Sequence, residues 1–141
     1  IFKLKQILKK HSLVLSSNKK EISTFENLLV KINNEFGLAT EKFINFQIAA
    51  SEAVVNAIVH GNKQDPHKKV YIEVTTDEHQ LELKIKDEGD GFDVSKLPDP
   101  TDESNLYKES GRGIFIIRSL VDEFYIESNA KGTAMSLLMK K

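Results

Sequence analysis

The chain has no cysteine among its 141 residues. That excludes disulfide staples and thiolate metal sites and is compatible with a reducing compartment. It also lacks any apolar run approaching the roughly 20 residues of a membrane-spanning helix, and no secretory signal pattern opens it. A cytoplasmic protein without membrane contact is expected. Neither sign of charge dominates: 20 basic and 21 acidic residues leave a net charge of -1. They are interspersed along the chain, so there is no electrostatic footprint for direct nucleic-acid binding. Internal repeats and low-complexity tracts are missing too. What is present, 40% apolar residues, suffices for one globular domain over residues 1–141 with a proper core.

The hydrophobic pattern divides the chain into short elements. The basic opening IFKLKQILKK reads as a solvated segment or an edge strand, followed by a strand around Leu13–Ser16. Ser23-Thr24-Phe25-Glu26 resembles a capping box, and Ile22, Phe25, Leu28, Leu29, Ile32 and Phe36 follow helical spacing up to a stop at Gly37. A second helix is predicted from about Thr40 to His60, stopped by Gly61. Two alternating segments, Val70/Ile72/Val74 and Leu81/Leu83/Ile85, read as a half-buried antiparallel hairpin. A short helix over Ile114–Val121 and strands near Phe124–Ser128 and Thr133–Met139, turned at Asn129–Gly132, complete the order βααββαββ. That order predicts an α+β fold, a two-layer sandwich with helices on one face of a mixed, mostly antiparallel sheet.

Three stretches carry candidate chemistry. In SEAVVNAIVHGN (51–62), Glu52, Asn56 and His60 recur every four residues and so share one face of the second helix, while Ala53, Val54, Val55, Ala57, Ile58 and Val59 cover the rest. An unpaired polar group buried there would cost about 2–7 kcal/mol, against a whole-domain stability of about 5–15 kcal/mol. Water on a narrow wet face would satisfy the stripe; so would a ligand, if the stripe floors a pocket. In DEGDGFD (87–93), Gly89 and Gly91 permit close backbone approach or positive φ, and Asp87 at a strand end can accept a hydrogen bond. A surface turn would use the same residues. A calcium loop would need a bidentate glutamate near its twelfth position, where this sequence has Lys96 to Pro98. In ESGRGIFIIRSLVDEF (109–124), Gly111, Arg112 and Gly113 precede an apolar helix, where free N–H groups and the positive end of the helix dipole suit polyphosphate, although glycine before a helix is also ordinary turn chemistry. The polar, proline-containing stretch 94–110 between the last two motifs is longer than the usual connection and reads as a lid or a disordered loop.

Together and in this order the three stretches resemble the ATP-binding fold shared by gyrase-type ATPases, the ninety-kilodalton heat-shock chaperone, sensor histidine kinases and mismatch-repair ATPases, the GHKL superfamily. They look most like the bacterial anti-sigma factor serine kinases, and the likeness extends to the terminal KGTAMSLLMKK. The resemblance implies a histidine-kinase-like ATPase fold with ATP or ADP and Mg²⁺ as cofactors. It implies Glu52 as general base and Asn56 as the Mg²⁺ ligand, with His60 and Gly61 at the phosphate end. Asp87 would accept from the adenine amino group, Gly89 and Gly91 would let the backbone close over the nucleotide, and Thr133 would support the base. Gly111, Arg112 and Gly113, with the lid at 94–110, would hold the phosphates. The implied partners are a sigma factor and an anti-anti-sigma antagonist phosphorylated on serine, in a homodimer joined through the first strand and helix. Such kinases often carry an arginine in the first helix for partner contacts; here Glu26, Asn27 and Lys31 stand there, which leaves the partner open. The alternatives are a nucleotide-dependent binding module without efficient phosphotransfer, or a histidine-kinase catalytic domain.

Overall fold

A computed structural model describes residues 8–96 and 109–141. Five strands, β1 (Lys9–Ser16), β2 (Lys69–Thr76), β3 (Gln80–Lys86), β4 (Glu123–Asn129) and β5 (Gly132–Lys140), form one sheet in the order β1-β2-β3-β5-β4. The expected mixture of strand directions is corrected: each ladder is antiparallel. The crossover after β3 carries the chain past a vacant lane to β4 at the edge, and β5 returns to fill it. β3 and β4 therefore run the same way without touching.

Alternation places one residue in two on the inner face. Register aligns Leu13, Ile72, Ile85, Met135 and Ile126 across all five strands, with Val74, Leu83, Leu137 and Phe124 as a neighbouring row. Three helices, α1 (Ile22–Phe36), α2 (Thr40–Val55) and α3 (Glu109–Leu120), cover this face. The opposite face stays open, with Tyr71, Tyr125 and Val14 exposed among charged residues. Its ion pairs, Lys10–Glu73 at 3.3 Å and Lys84–Glu82 at 3.6 Å, are solvent-exposed and contribute little.

On α1, Phe25, Leu29, Ile32 and Phe36 form the buried stripe, and Gly37 ends the helix in the left-handed conformation at φ 82, its N–H donating to Asn33 C=O at 2.8 Å. The capping box at Ser23 does not form. A 3₁₀ turn over Lys19–Glu21 starts the helix earlier, and Asn18 caps that turn by accepting from Lys20 N–H at 2.9 Å. On α2, Phe46, Ala49, Ala50, Ala53 and Val54 are buried. The alanines permit close approach to the sheet and to α3, and burying Phe46 contributes about 1.5–3 kcal/mol.

Two helix boundaries depart from expectation. α2 is α-helical only to Val55 and continues as a π-helical turn over Asn56–Gly61. The Asn62 N–H reaches back five residues to Ala57 C=O at 2.8 Å. The wider turn breaks the four-residue stripe, so Asn56 is buried while His60 is exposed. α3 begins at Glu109, so Gly111, Arg112 and Gly113 lie inside its opening turns rather than before it. Packing of Ile114 and Ile117 into the core outweighs the low helix propensity of the two glycines, about 1 kcal/mol each. Most of the expected lid, 97–108, lies outside the described residues.

Candidate functional site

Asp87 directly follows β3, where the sheet's hydrogen bonding ends, and its side chain is 4% exposed. Its Oδ1 accepts from Gly89 N–H at 2.9 Å and from Thr133 N–H at 3.0 Å, while its own N–H donates to Thr133 C=O at 3.0 Å. Its Oδ2 accepts nothing from the described residues and lies against Gly61, where a β-carbon would collide with it. Burial pushes the Asp87 carboxyl above its ordinary range; the two N–H donors and the charge of Lys68 oppose the shift. A buried carboxylate with one oxygen engaged and the other unused is a built acceptor for a donor such as an amino group.

Glycines shape the surroundings. A side chain on Gly89 would strike the Gly61 carbonyl, and one on Gly132 the Asp87 carbonyl. Gly61 thus stands against Asp87, because the π turn carries the backbone across to the strand terminus. Gly91, at φ 77, packs against the Asn129 carbonyl of the β4–β5 turn. Its need for glycine has that structural cause. The Thr133 hydroxyl pairs with Ser128 Oγ at 2.7 Å, so Thr133 serves Asp87 through its main chain.

A second cluster sits on α2. Glu52 is half-buried and Asn56 is 9% exposed, and the Asn56 Nδ2 is buried without a hydrogen-bond partner among the described residues. Gly113 of α3 lies over both: a β-carbon there would stand 3.3 Å from Asn56 Nδ2 and 3.5 Å from Glu52 Oε2. A buried donor without a partner among the described residues is open to a water or a polar ligand, as is the Ser51 hydroxyl. The structure therefore gathers Gly61, Asp87, Gly89 and Thr133 at one place and Glu52, Asn56 and Gly113 at another, the π turn linking them. Arg112 and His60 are exposed. A separate cleft of about 270 Å³ near Lys9, Glu35, Phe36 and Thr76 contains none of these residues.

Sequence reasoning missed Asn62. It is fully buried and makes three side-chain bonds: Nδ2 donates to Ser17 Oγ at 2.9 Å and to Lys69 C=O at 3.0 Å, and Oδ1 accepts from Glu88 N–H at 2.7 Å. It falls outside the four-residue stripe, and its partners are remote in sequence. The one available signal was an amide directly after a helix-ending glycine.

A two-layer α+β fold, with a buried strand-end carboxylate and a polar pair on the central helix, defines the class. The chain belongs to the histidine kinase-like ATPase domain family, whose pattern matches residues 15–139. It is similar to anti-sigma F factors: that of Oceanobacillus iheyensis is 36% identical over 98 residues, covering 67% of each chain. That of Bacillus subtilis is 35% identical over 101 residues, covering 69% of this chain and 68% of the relative. Among solved structures, the RsbU and RsbW domains of a Mycobacterium tuberculosis protein superpose with TM-score 0.64 at 20% identity, covering 93% of this chain and 32% of that one. The histidine kinase domain of an Erythrobacter litoralis blue-light-activated kinase superposes with TM-score 0.56 at 18% identity, covering 86% of this chain and 63% of that one. These two likenesses concern the fold. Among the described residues no helix is long and apolar enough to cross a membrane.

Proposed function

We propose that this protein is an anti-sigma factor and protein-serine kinase. It binds ATP or ADP with Mg²⁺, sequesters a sigma factor, and phosphorylates a serine of an antagonist protein, working in the cytoplasm as a homodimer. The observation that carries the reading is the buried Asn56 side chain one turn from Glu52 and beneath Gly113, its Nδ2 without a partner among the described residues. The names of its relatives support the sigma-factor partner.

In this reading Asp87 Oδ2 accepts from the adenine amino group and orients the base. The Asn56 amide oxygen, a hard ligand, would hold Mg²⁺, for which one protein ligand besides phosphate oxygens and water is ordinary. Bound there, the ion would neutralise charge on the phosphates. The antagonist's serine oxygen forms the bond to the γ-phosphorus as the bond to the β-phosphate oxygen breaks, ADP leaves, and Glu52 takes the hydroxyl proton. Positioning and electrostatics supply most of the rate in such transfers.

The test is phosphotransfer to a purified candidate antagonist protein, with sigma-factor capture measured in ATP and in ADP. Phosphate on an antagonist serine and capture that depends on the nucleotide are the expected results. Nucleotide-dependent capture with no transfer would make the protein a non-catalytic binding module.

A further inference from the structure

Asn62 ties the end of α2 to three other chain segments, two of which, the end of β1 and the start of β2, the sheet also pairs at Ser16 and Lys69. It closes the π turn of α2, reaches the residue after β1 through Ser17 and the first residue of β2 through the Lys69 carbonyl, and holds the loop after β3 through the Glu88 N–H. Ser17 is itself satisfied, donating to Lys68 C=O at 2.6 Å. The Glu88 side chain is fastened from the other side: its carboxylate accepts from Lys69 N–H at 3.1 Å and from Tyr71 OH at 2.7 Å. Gly61 and Asp87, which touch, are the residues immediately before Asn62 and Glu88. The 2.7 Å bond from Glu88 N–H to Asn62 therefore helps to set the separation of that adjacent pair, together with the Gly89 and Thr133 N–H bonds to Asp87.

We propose that Asn62 is a positioning residue for base recognition, its Oδ1 holding the Asp87 carboxylate against Gly61 where it accepts an adenine amino group and repels a guanine carbonyl. The inference rests on the nucleotide-binding reading given above. Adenine offers an N–H₂ donor at its six position, where guanine offers an oxygen acceptor. A carboxylate held in place distinguishes the two by both attraction and repulsion, and one free to swing away from Gly61 loses both.

The experiment titrates nonhydrolysable ATP and GTP analogues, with Mg²⁺, into the whole chain by calorimetry, with inorganic tripolyphosphate as a probe of the phosphate end alone. The unaltered protein prefers the ATP analogue, and Asp87→Asn removes that preference. Asn62→Ala, verified as folded by circular dichroism, lowers the ATP-to-GTP preference by about tenfold, the weight of a weakened hydrogen bond to a charged group, and leaves tripolyphosphate affinity unchanged. A general loss of structure would weaken both ligands and tripolyphosphate alike, and that result overturns the proposal. So does a folded Asn62→Ala protein with full preference. If Asn62→Ala does not fold, Asn62→Asp decides: it keeps the acceptor for Glu88 N–H, while it loses the donor to Ser17 and Lys69 and sets a buried carboxylate oxygen against the Lys69 carbonyl. Retained preference supports the proposal, and lost preference in a folded protein overturns it. An unaltered chain with no preference, or with no nucleotide binding, fails at the earlier reading, and the assignment of Asn62 falls with it.

Discussion

Asp87 is held in a position that favours a ligand over the fold. Because burial raises its carboxyl above the value in an unfolded chain, ionisation of this group opposes folding at pH above both values. That cost begins to lift as pH falls through the raised folded value and is gone below the unfolded one. Nucleotide affinity has the opposite sense, since the accepting form is the carboxylate: it should decline as pH falls through the raised value, starting at higher pH than an ordinary aspartate would give. Asp87→Asn keeps Oδ1 as acceptor for Gly89 and Thr133, so the ligand-free variant should melt at a higher temperature at neutral pH while losing ATP affinity. A lower melting temperature would show that ionised Asp87 stabilises the fold. On α2 the two polar residues separate by role. Glu52→Gln should bind ATP but transfer phosphate about 10²–10⁴-fold more slowly. Asn56→Ala should lose the Mg²⁺-dependent part of nucleotide affinity, and since its Nδ2 has no partner among the described residues, the ligand-free fold should lose no hydrogen bond donated by that amide to them. Normal transfer by Glu52→Gln would assign the base elsewhere.

At the level of elements, the π turn at the end of α2 decides where the site's backbone lies. An α-helical continuation would have kept Glu52, Asn56 and His60 in line. The wider turn instead buries Asn56, exposes His60 and delivers Gly61 to the end of β3, a departure from regular helix of the kind that concentrates at functional sites. Gly61 consequently has no room for a side chain beside Asp87. Gly61→Ala drives a β-carbon into Asp87 Oδ2 and should cost about 1–3 kcal/mol by overpacking, with loss of ATP binding. Urea denaturation and calorimetry on one preparation check both, and a stable variant with full affinity would show that the turn yields easily. The same insertion at Gly37, where no atom lies near but φ is 82, would strain only the helix cap.

Across the whole molecule, one sheet face carries the helices and the other meets solvent, and both edges bear charge: Lys9 and Lys10 on β1, Glu123 and Glu127 on β4. Charged edges discourage uncontrolled strand pairing. Stability rests on the single core between the layers. Phe46, fully buried where α2 meets that core, should cost about 3–5 kcal/mol when replaced by alanine. Equilibrium urea unfolding measures it, and a loss below about 1 kcal/mol would mean that the layers close over the gap.

Hydrophobic periodicity by itself determined the element order, the strands' inner faces and the Gly37 stop, because these depend on residues within a few positions of one another. It also singled out Asp87, Glu52 and Asn56, since polar side chains interrupt apolar patterns where those residues fall. Strand order, the antiparallel pairing of β1 with β2 and of β3 with β5, and the π turn were decided only in three dimensions. A π turn has no apolar period of its own in so short a stretch, and the chain accepts it in exchange for contacts made elsewhere. The same holds for Asn62, whose partners Ser17 and Glu88 lie 45 and 26 residues away. No local pattern records a hydrogen bond between residues that only folding brings together.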